Sequence, residues 1–252
     1  MTMKIDKKSA ELRKKGITIV EDYLDEKTAE RFHEQIKNGL ENSMYTDAEE
    51  YSGGYGEWAD ADVPIANERT NTDEGMVDIF NPELEFEEMA DFKNDSKINK
   101  IIDRASGQKY KPRNCNAYIR RSVLNPQRYH VDSYQKYKTF VYLTDVSNNS
   151  DGPFTYIEGS HNISFWEKFA TVFLNKLKGR SAAPLGIVPN PEPLKVTASK
   201  GTLIIANQGG YHQGHPQSLG KERVLLTTSY NPENNNKDWT NSFAQKFAEF
   251  VQ

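Results

Sequence analysis

The sequence predicts an α+β chain with a mainly β core, arranged as a barrel or sandwich in one domain. Three observations predict it. Before residue 106, apolar residues recur at spacings of three and four. From about 110 the pattern changes to short runs of β-branched and aromatic residues. Glycine and proline punctuate those runs. At 252 residues the chain suits one large β domain.

Residues 6–15 read as a short charged helix, and Gly16-Ile17-Thr18-Ile19-Val20 as a strand. Asp25 is the expected N-cap of a helix over 26–43, with Ala29, Phe32, Ile36 and Leu40 forming its apolar stripe. Residues 44–92 turn acidic and show no sustained period, so an irregular excursion is expected. Gly53, Gly54 and Gly56 beside Tyr51, Tyr55 and Trp58 suggest a substrate lid, with hinge freedom and covering area together. A short helix follows near 96–106. Strands are expected at 114–122, 127–133, 137–145 and 153–157, with Asp151-Gly152-Pro153 turning the chain before the last. Phe165, Trp166, Phe169, Val172, Phe173 and Leu177 predict an amphipathic helix over 163–178. Pro184, Pro189, Pro191 and Pro193 mark a loop, strands resume at 194–197, 201–206 and 222–230, and a helix covers 240–250.

Composition narrows the function classes. A net charge of -4 argues against broad contact with nucleic acid. No apolar run approaches bilayer length, and the charged start lacks the apolar stretch of a secretion signal. Cys115 is the only cysteine, so no internal disulfide forms, which suits a reducing cytosol. A cytoplasmic protein acting on a small molecule is the expectation, with neither membrane nor nucleic acid as partner. The oligomeric state is left open.

The chemistry lies in His130-Val131-Asp132 and, 80 residues later, Gly209-Gly210-Tyr211-His212-Gln213-Gly214-His215-Pro216. Two imidazoles and one carboxylate bind non-haem Fe(II) on one face of an octahedron, leaving the other face open. Spacing of one residue puts His130 and Asp132 on the same side of a strand. The second imidazole must come from a distant segment, and His212 and His215 are rivals for it. Arg223 then opens an apolar strand, where its planar fork would suit a buried carboxylate. A His-x-Asp triplet alone also arises as a surface histidine beside a turn aspartate. Its place at the end of a predicted strand, with a second histidine behind the apolar run Thr202-Leu203-Ile204-Ile205-Ala206, favours the metal.

Four stretches together resemble the phytanoyl-CoA dioxygenase family of Fe(II)/2-oxoglutarate-dependent oxygenases. They are Gly16 to Asp25; Tyr142-Leu143-Thr144-Asp145-Val146 with Asn149 to Phe154 and Gly159-Ser160-His161; Lys200-Gly201-Thr202-Leu203 with Gly210 to Gly214; and Lys221-Glu222-Arg223. The resemblance covers residues 16–231 and implies a double-stranded β-helix, a jelly-roll or cupin-like barrel with flanking helices. It implies that His130, Asp132 and His212 hold iron and act as the catalytic centre. Arg223 would bind the far carboxylate of 2-oxoglutarate, and O2 would be the oxidant. Hydroxylation is the implied reaction, since the related halogenases lack the carboxylate that Asp132 supplies. There are two departures. Glu158 replaces the family's proline before Gly-Ser-His, and Gly214 stands where relatives often carry a hydroxyl near the co-substrate. His161 is then structural or lines the cavity, and His33 a surface or core-edge residue of its helix.

Asn116, Tyr118 and Arg120 alternate along one strand, and Lys138, Phe140 and Tyr142 along the next, so each set shares a face. If those faces look inward, Asn116, Tyr118, Lys138 and Tyr142 are candidate co-substrate contacts, and Arg120 a partner for a substrate acid. Tyr134 and Gln135 would sit beside the open metal face. Cys115, one step out of register, should be buried and inert. Two other classes stay open: a barrel that binds metal and acid without turnover, and a zinc hydrolase at the same triad.

Overall fold

The computed structural model describes residues 4–51, 53–132, 136–162 and 192–234. Helix α1 (Ile5–Lys15) ends at Gly16, whose left-handed conformation closes the last turn through its N–H to Leu12 O. Helix α2 (Glu26–Glu41) starts at Asp25, whose side chain accepts from Thr28 N at 3.0 Å. It buries Ala29, Phe32 and Ile36 on one stripe. Strand β1 (Ile17–Val20) lies between them. Helices α4 (Glu88–Lys93) and α5 (Ser96–Ser106) follow later, and α5 buries Ile98, Ile101, Ile102 and Ala105.

Between α2 and α4 the chain is more regular than the sequence suggests. It forms β2 (Thr46–Asp47), α3 (Tyr55–Ala59), β3 (Ile65–Glu68) and β4 (Met76–Phe80). The expected irregular excursion is corrected here, because β4 pairs with the long strand β5 (Tyr110–Arg121) and brings β3 and β2 with it. All five residues of β4 are buried, so the strand carries no apolar–polar alternation to be read.

The remaining strands are β6 (Tyr137–Tyr142), β7 (Phe154–Tyr156), β8 (Leu194–Val196), β9 (Leu203–Asn207), β10 (His212–Gly214) and β11 (Glu222–Pro232). Eight strands make one sheet in the order β1-β9-β6-β11-β5-β4-β3-β2, and three make a second in the order β10-β7-β8. The strand expected at 127–133 is not there; only His130 bridges, to His212. The helices expected at 163–178 and 240–250, the prolines up to Pro191, and Tyr134 and Gln135 lie outside the described residues.

Alternation along the large sheet sorts its residues into two layers. Cys115, Ala117, Ile119, Val141, Leu203, Ile205, Val224 and Leu226 join the core under the helices. Phe140, Tyr142, Ile204, Ala206 and Leu225 face the opposite way and meet Phe154, Tyr156 and Val196 of the small sheet. The space between the two sheets holds the cavity described next. No helix among the described residues is long and apolar enough to cross a membrane.

Candidate metal centre

His130 and His212 face each other across their bridge, exchanging backbone bonds of 3.1 and 3.0 Å. Directly opposed residues bring their side chains together on one face, and the two rings lie 4.5 Å apart between centroids. Asp132 is placed by its own N–H, which donates to Gln208 O at 3.0 Å. Its carboxylate stands 3.4 Å from His130 Nε2 and 3.8 Å from His212 Nε2. One donor atom from each of the three lies within 4.8 Å of the others. Cis ligands on an octahedral ion with bonds of about 2.1 Å are about 3.0 Å apart. Small side-chain adjustments therefore suffice.

The imidazoles are held in one tautomer. His130 Nδ1 lies 2.8 Å from Arg128 O, and His212 Nδ1 lies 2.9 Å from Gly210 O. A carbonyl only accepts, so each Nδ1 carries a proton, and in the neutral ring that a metal requires Nε2 keeps its lone pair. Those Nε2 atoms are the ones aimed at Asp132. Burial disfavours ionised Asp132, but His130 and His212 beside it outweigh that and hold the carboxyl well below its usual range. Burial likewise opposes a charge on His130, and Asp132 more than compensates, so its pKa is raised.

The loop before His212 is positioned by small groups. Tyr211 N donates to Ser160 Oγ at 2.8 Å, and Tyr156 Oη donates to Asn207 O at 2.9 Å. A Cβ on Gly210 would lie 2.0 Å from Tyr156 Oη, so only glycine fits there. Ser160 of the Gly-Ser-His stretch is thus structural, and His161 turns away to Arg13 O at 3.1 Å.

Around the triad is a cavity of about 420 Å³. Asn116, Tyr118 and Arg120 of β5, Lys138 and Phe140 of β6, and Arg223 of β11 all line it, so those faces do look inward. Lys138 Nζ donates to Tyr118 Oη at 2.8 Å and sits over that ring. Burial lowers the pKa of Lys138, but Tyr118 and Asp132 more than offset this and leave it raised. Tyr142 is a correction among the lining residues. It is fully buried beneath the wall, its hydroxyl donating to Val196 O and accepting from Phe154 N, and its ring lies 5.9 Å from Arg223 Cζ. It supports the arginine instead of facing the cavity.

Sequence reasoning missed the far wall. Arg69 and Asp73 line it beside Tyr55 of the expected lid, and behind them Asp78 accepts from Arg69 Nε and Nη2 at 2.7 and 3.0 Å. A carboxylate inside the apolar run Met76-Val77-Asp78-Ile79-Phe80 was the available signal. Cys115 is buried on the helix side with its thiol pushed up by burial, as its register implies. His33, half-buried at the core edge, lies 3.6 Å from Glu222. His215 does not belong to the three-residue cluster. Accordingly, His212→Ala should lose bound iron while His215→Ala keeps it, as measured by metal content after dialysis. Iron lost only from the second variant would reverse the assignment.

Comparisons with solved structures place this architecture among known ones. The epimerase SnoN from nogalamycin biosynthesis, described as non-haem and α-ketoglutarate-dependent, superposes with a TM-score of 0.63 at 13% identity, covering 90% of this chain and 83% of that one. HygX from Streptomyces hygroscopicus, with nickel and 2-oxoglutarate bound, gives 0.62 at 13%, covering 93% and 88%. The fold is a double-stranded β-helix. The carbocyclase SnoK from nogalamycin biosynthesis, also described as non-haem and α-ketoglutarate-dependent, superposes with a TM-score of 0.63 at 13% identity over 92% of this chain and 84% of that one. SnoN has been solved with Fe3+, α-ketoglutarate and nogalamycin RO, and HygX with hygromycin B, so these neighbours act on or bind small molecules. No family model matches the sequence, and no curated protein matches it.

Proposed function

We propose that the protein is an Fe(II)- and 2-oxoglutarate-dependent oxygenase, a single domain that hydroxylates an unactivated C–H bond of a small polar or acidic metabolite. The observation that carries this is the meeting of His130, Asp132 and His212 in a cavity that also contains the buried Arg223. The resemblance to the phytanoyl-CoA dioxygenase family supports the same residues in the same roles. So does the presence of iron and 2-oxoglutarate in structures that share the fold.

His130, Asp132 and His212 would hold the iron, two neutral nitrogens and one anionic oxygen. The bound iron supplies oxidation of a C–H bond by O2, coupled to conversion of 2-oxoglutarate to succinate and CO2. The protein's own groups bind and orient. Arg223 would take the co-substrate's far carboxylate, with Tyr142 stacked behind it. Asn116, Tyr118 and Lys138 would hydrogen-bond the co-substrate from the opposite strands. Five basic side chains line the cavity (Arg69, Arg120, Lys136, Lys138 and Arg223) against two carboxylates, Asp73 and Asp132, which favours acidic ligands. Tyr55 on α3 would form part of a substrate-side cover. We place the reaction in the reducing cytosol, where a chain with one buried cysteine is at home.

The test is anaerobic loading with Fe(II) and 2-oxoglutarate, then air, with a panel of small acids and polar metabolites. Substrate-stimulated succinate release is expected. Tight binding without succinate under any substrate would make the barrel a binding protein. Turnover with zinc and without O2 would make it a hydrolase. Arg223→Ala should raise the 2-oxoglutarate requirement by roughly 10- to 150-fold, since a charge-assisted hydrogen bond contributes about 1.5–3 kcal/mol. An unchanged requirement would assign that carboxylate elsewhere.

A further inference from the structure

Arg120 and Arg223 are direct partners across the β5–β11 pair, and both side chains point into the cavity. They are 2% and 4% exposed. Nε and Nη2 of Arg120, and Nε of Arg223, are buried without a hydrogen-bond partner among the described residues. Among the described residues the Arg120 Nη2 group has one carboxylate in reach, Asp73 at 3.8 Å. Asp73 is already committed to Arg69 Nη1 at 2.9 Å and to Gln127 N at 3.0 Å. Arg223 Nη1 donates to Gly152 O, a neutral acceptor. Two like charges directly opposite on a sheet repel. Buried guanidinium donors left unmade are costly. Both defects are removed by one shared anion.

We infer that Arg120 and Arg223 form a two-guanidinium clamp on a single carboxylate, and that Gly214 is the residue that makes room for it. A carboxylate offers about four lone-pair sites and can accept forks from two arginines at once. A Cβ at position 214 would lie 1.9 Å from Arg120 Nη1 and 2.8 Å from its Cζ. Gly214 is two residues beyond His212 on β10, about 7 Å along a strand. A short dicarboxylate could therefore reach from the triad to the clamp. Burial and the neighbouring Arg223 push Arg120 down to about 9, the behaviour of a cation short of counter-charge. Arg120 thus joins the co-substrate's far carboxylate and is not reserved for a substrate acid. That the ligand is 2-oxoglutarate rests on the proposed function; the clamp itself does not.

The test uses the full chain without added metal, titrated with succinate by calorimetry. Wild type should bind. Arg120→Gln and Gly214→Ala should each weaken binding at least tenfold, with Arg120→Lys intermediate because the charge stays and the fork is lost. Nickel uptake should be unchanged in all three. If Arg120→Gln fails to fold, Gly214→Ala carries the test, since it keeps the charge and displaces the head group. No succinate binding by wild type, or wild-type affinity in both variants, would overturn the clamp. So would an Arg120→Gln effect confined to the organic substrate's KM. Failure of turnover with iron and 2-oxoglutarate, with succinate binding intact, would sink the proposed function and leave the clamp standing.

Discussion

Asp132→Ala is expected to lose iron by at least about 100-fold in affinity and to abolish substrate-stimulated succinate release. Outer partners of metal ligands cost about 10–100-fold when removed, and Asp132 would be a ligand itself. Three effects act together. The anionic donor disappears, its close contacts with His130 and His212 go with it, and the five basic lining groups face only Asp73. The fold should survive, because 44% of the Asp132 side chain is open to the cavity and its backbone bond to Gln208 remains. Metal analysis with far-UV circular dichroism checks both halves. Native iron content and turnover in this variant would remove Asp132 from the centre.

The largest stability effect should come from Asp78→Ala. Asp78 is fully buried and accepts two bonds from Arg69, with a third from Tyr55 Oη. Truncation leaves a charged guanidinium and a hydroxyl without their acceptor. Breaking a buried pair from one side costs roughly 3–5 kcal/mol. The lower end applies here, since 22% of the Arg69 side chain reaches solvent. Denaturant unfolding measures it; a loss below about 1 kcal/mol would show that Arg69 and Tyr55 find other partners. The same change should loosen α3, which Tyr55 ties to β4.

The chemistry was more legible than the walls around it. His130, Asp132, His212 and Arg223 announce themselves because each residue type is costly in an apolar setting and its spacing matches a ligand set. The inward face of β5 was readable too, since Cys115, Ala117 and Ile119 interleave with Asn116, Tyr118 and Arg120. The 44–92 stretch was not. Its strands are two, four and five residues long, and β4 is covered on both faces, so periodicity is silent there. Arg69 and Asp78 meet only because β3 turns back on β4. The 127–132 stretch failed in the opposite way. It alternates like a strand, yet it touches the sheets at one bridge only. Tyr142 shared a face with Lys138, but the small sheet closes over it through Phe154 and Val196.

One sulfur atom sits at the back of this architecture. Because Cys115 is sealed between β5 and the helices, a thiol-selective reagent added to folded protein has no thiol to alkylate. Labelling becomes possible once that layer opens. The chain thus carries an internal gauge of its own integrity, readable by mass in the same samples used for metal analysis.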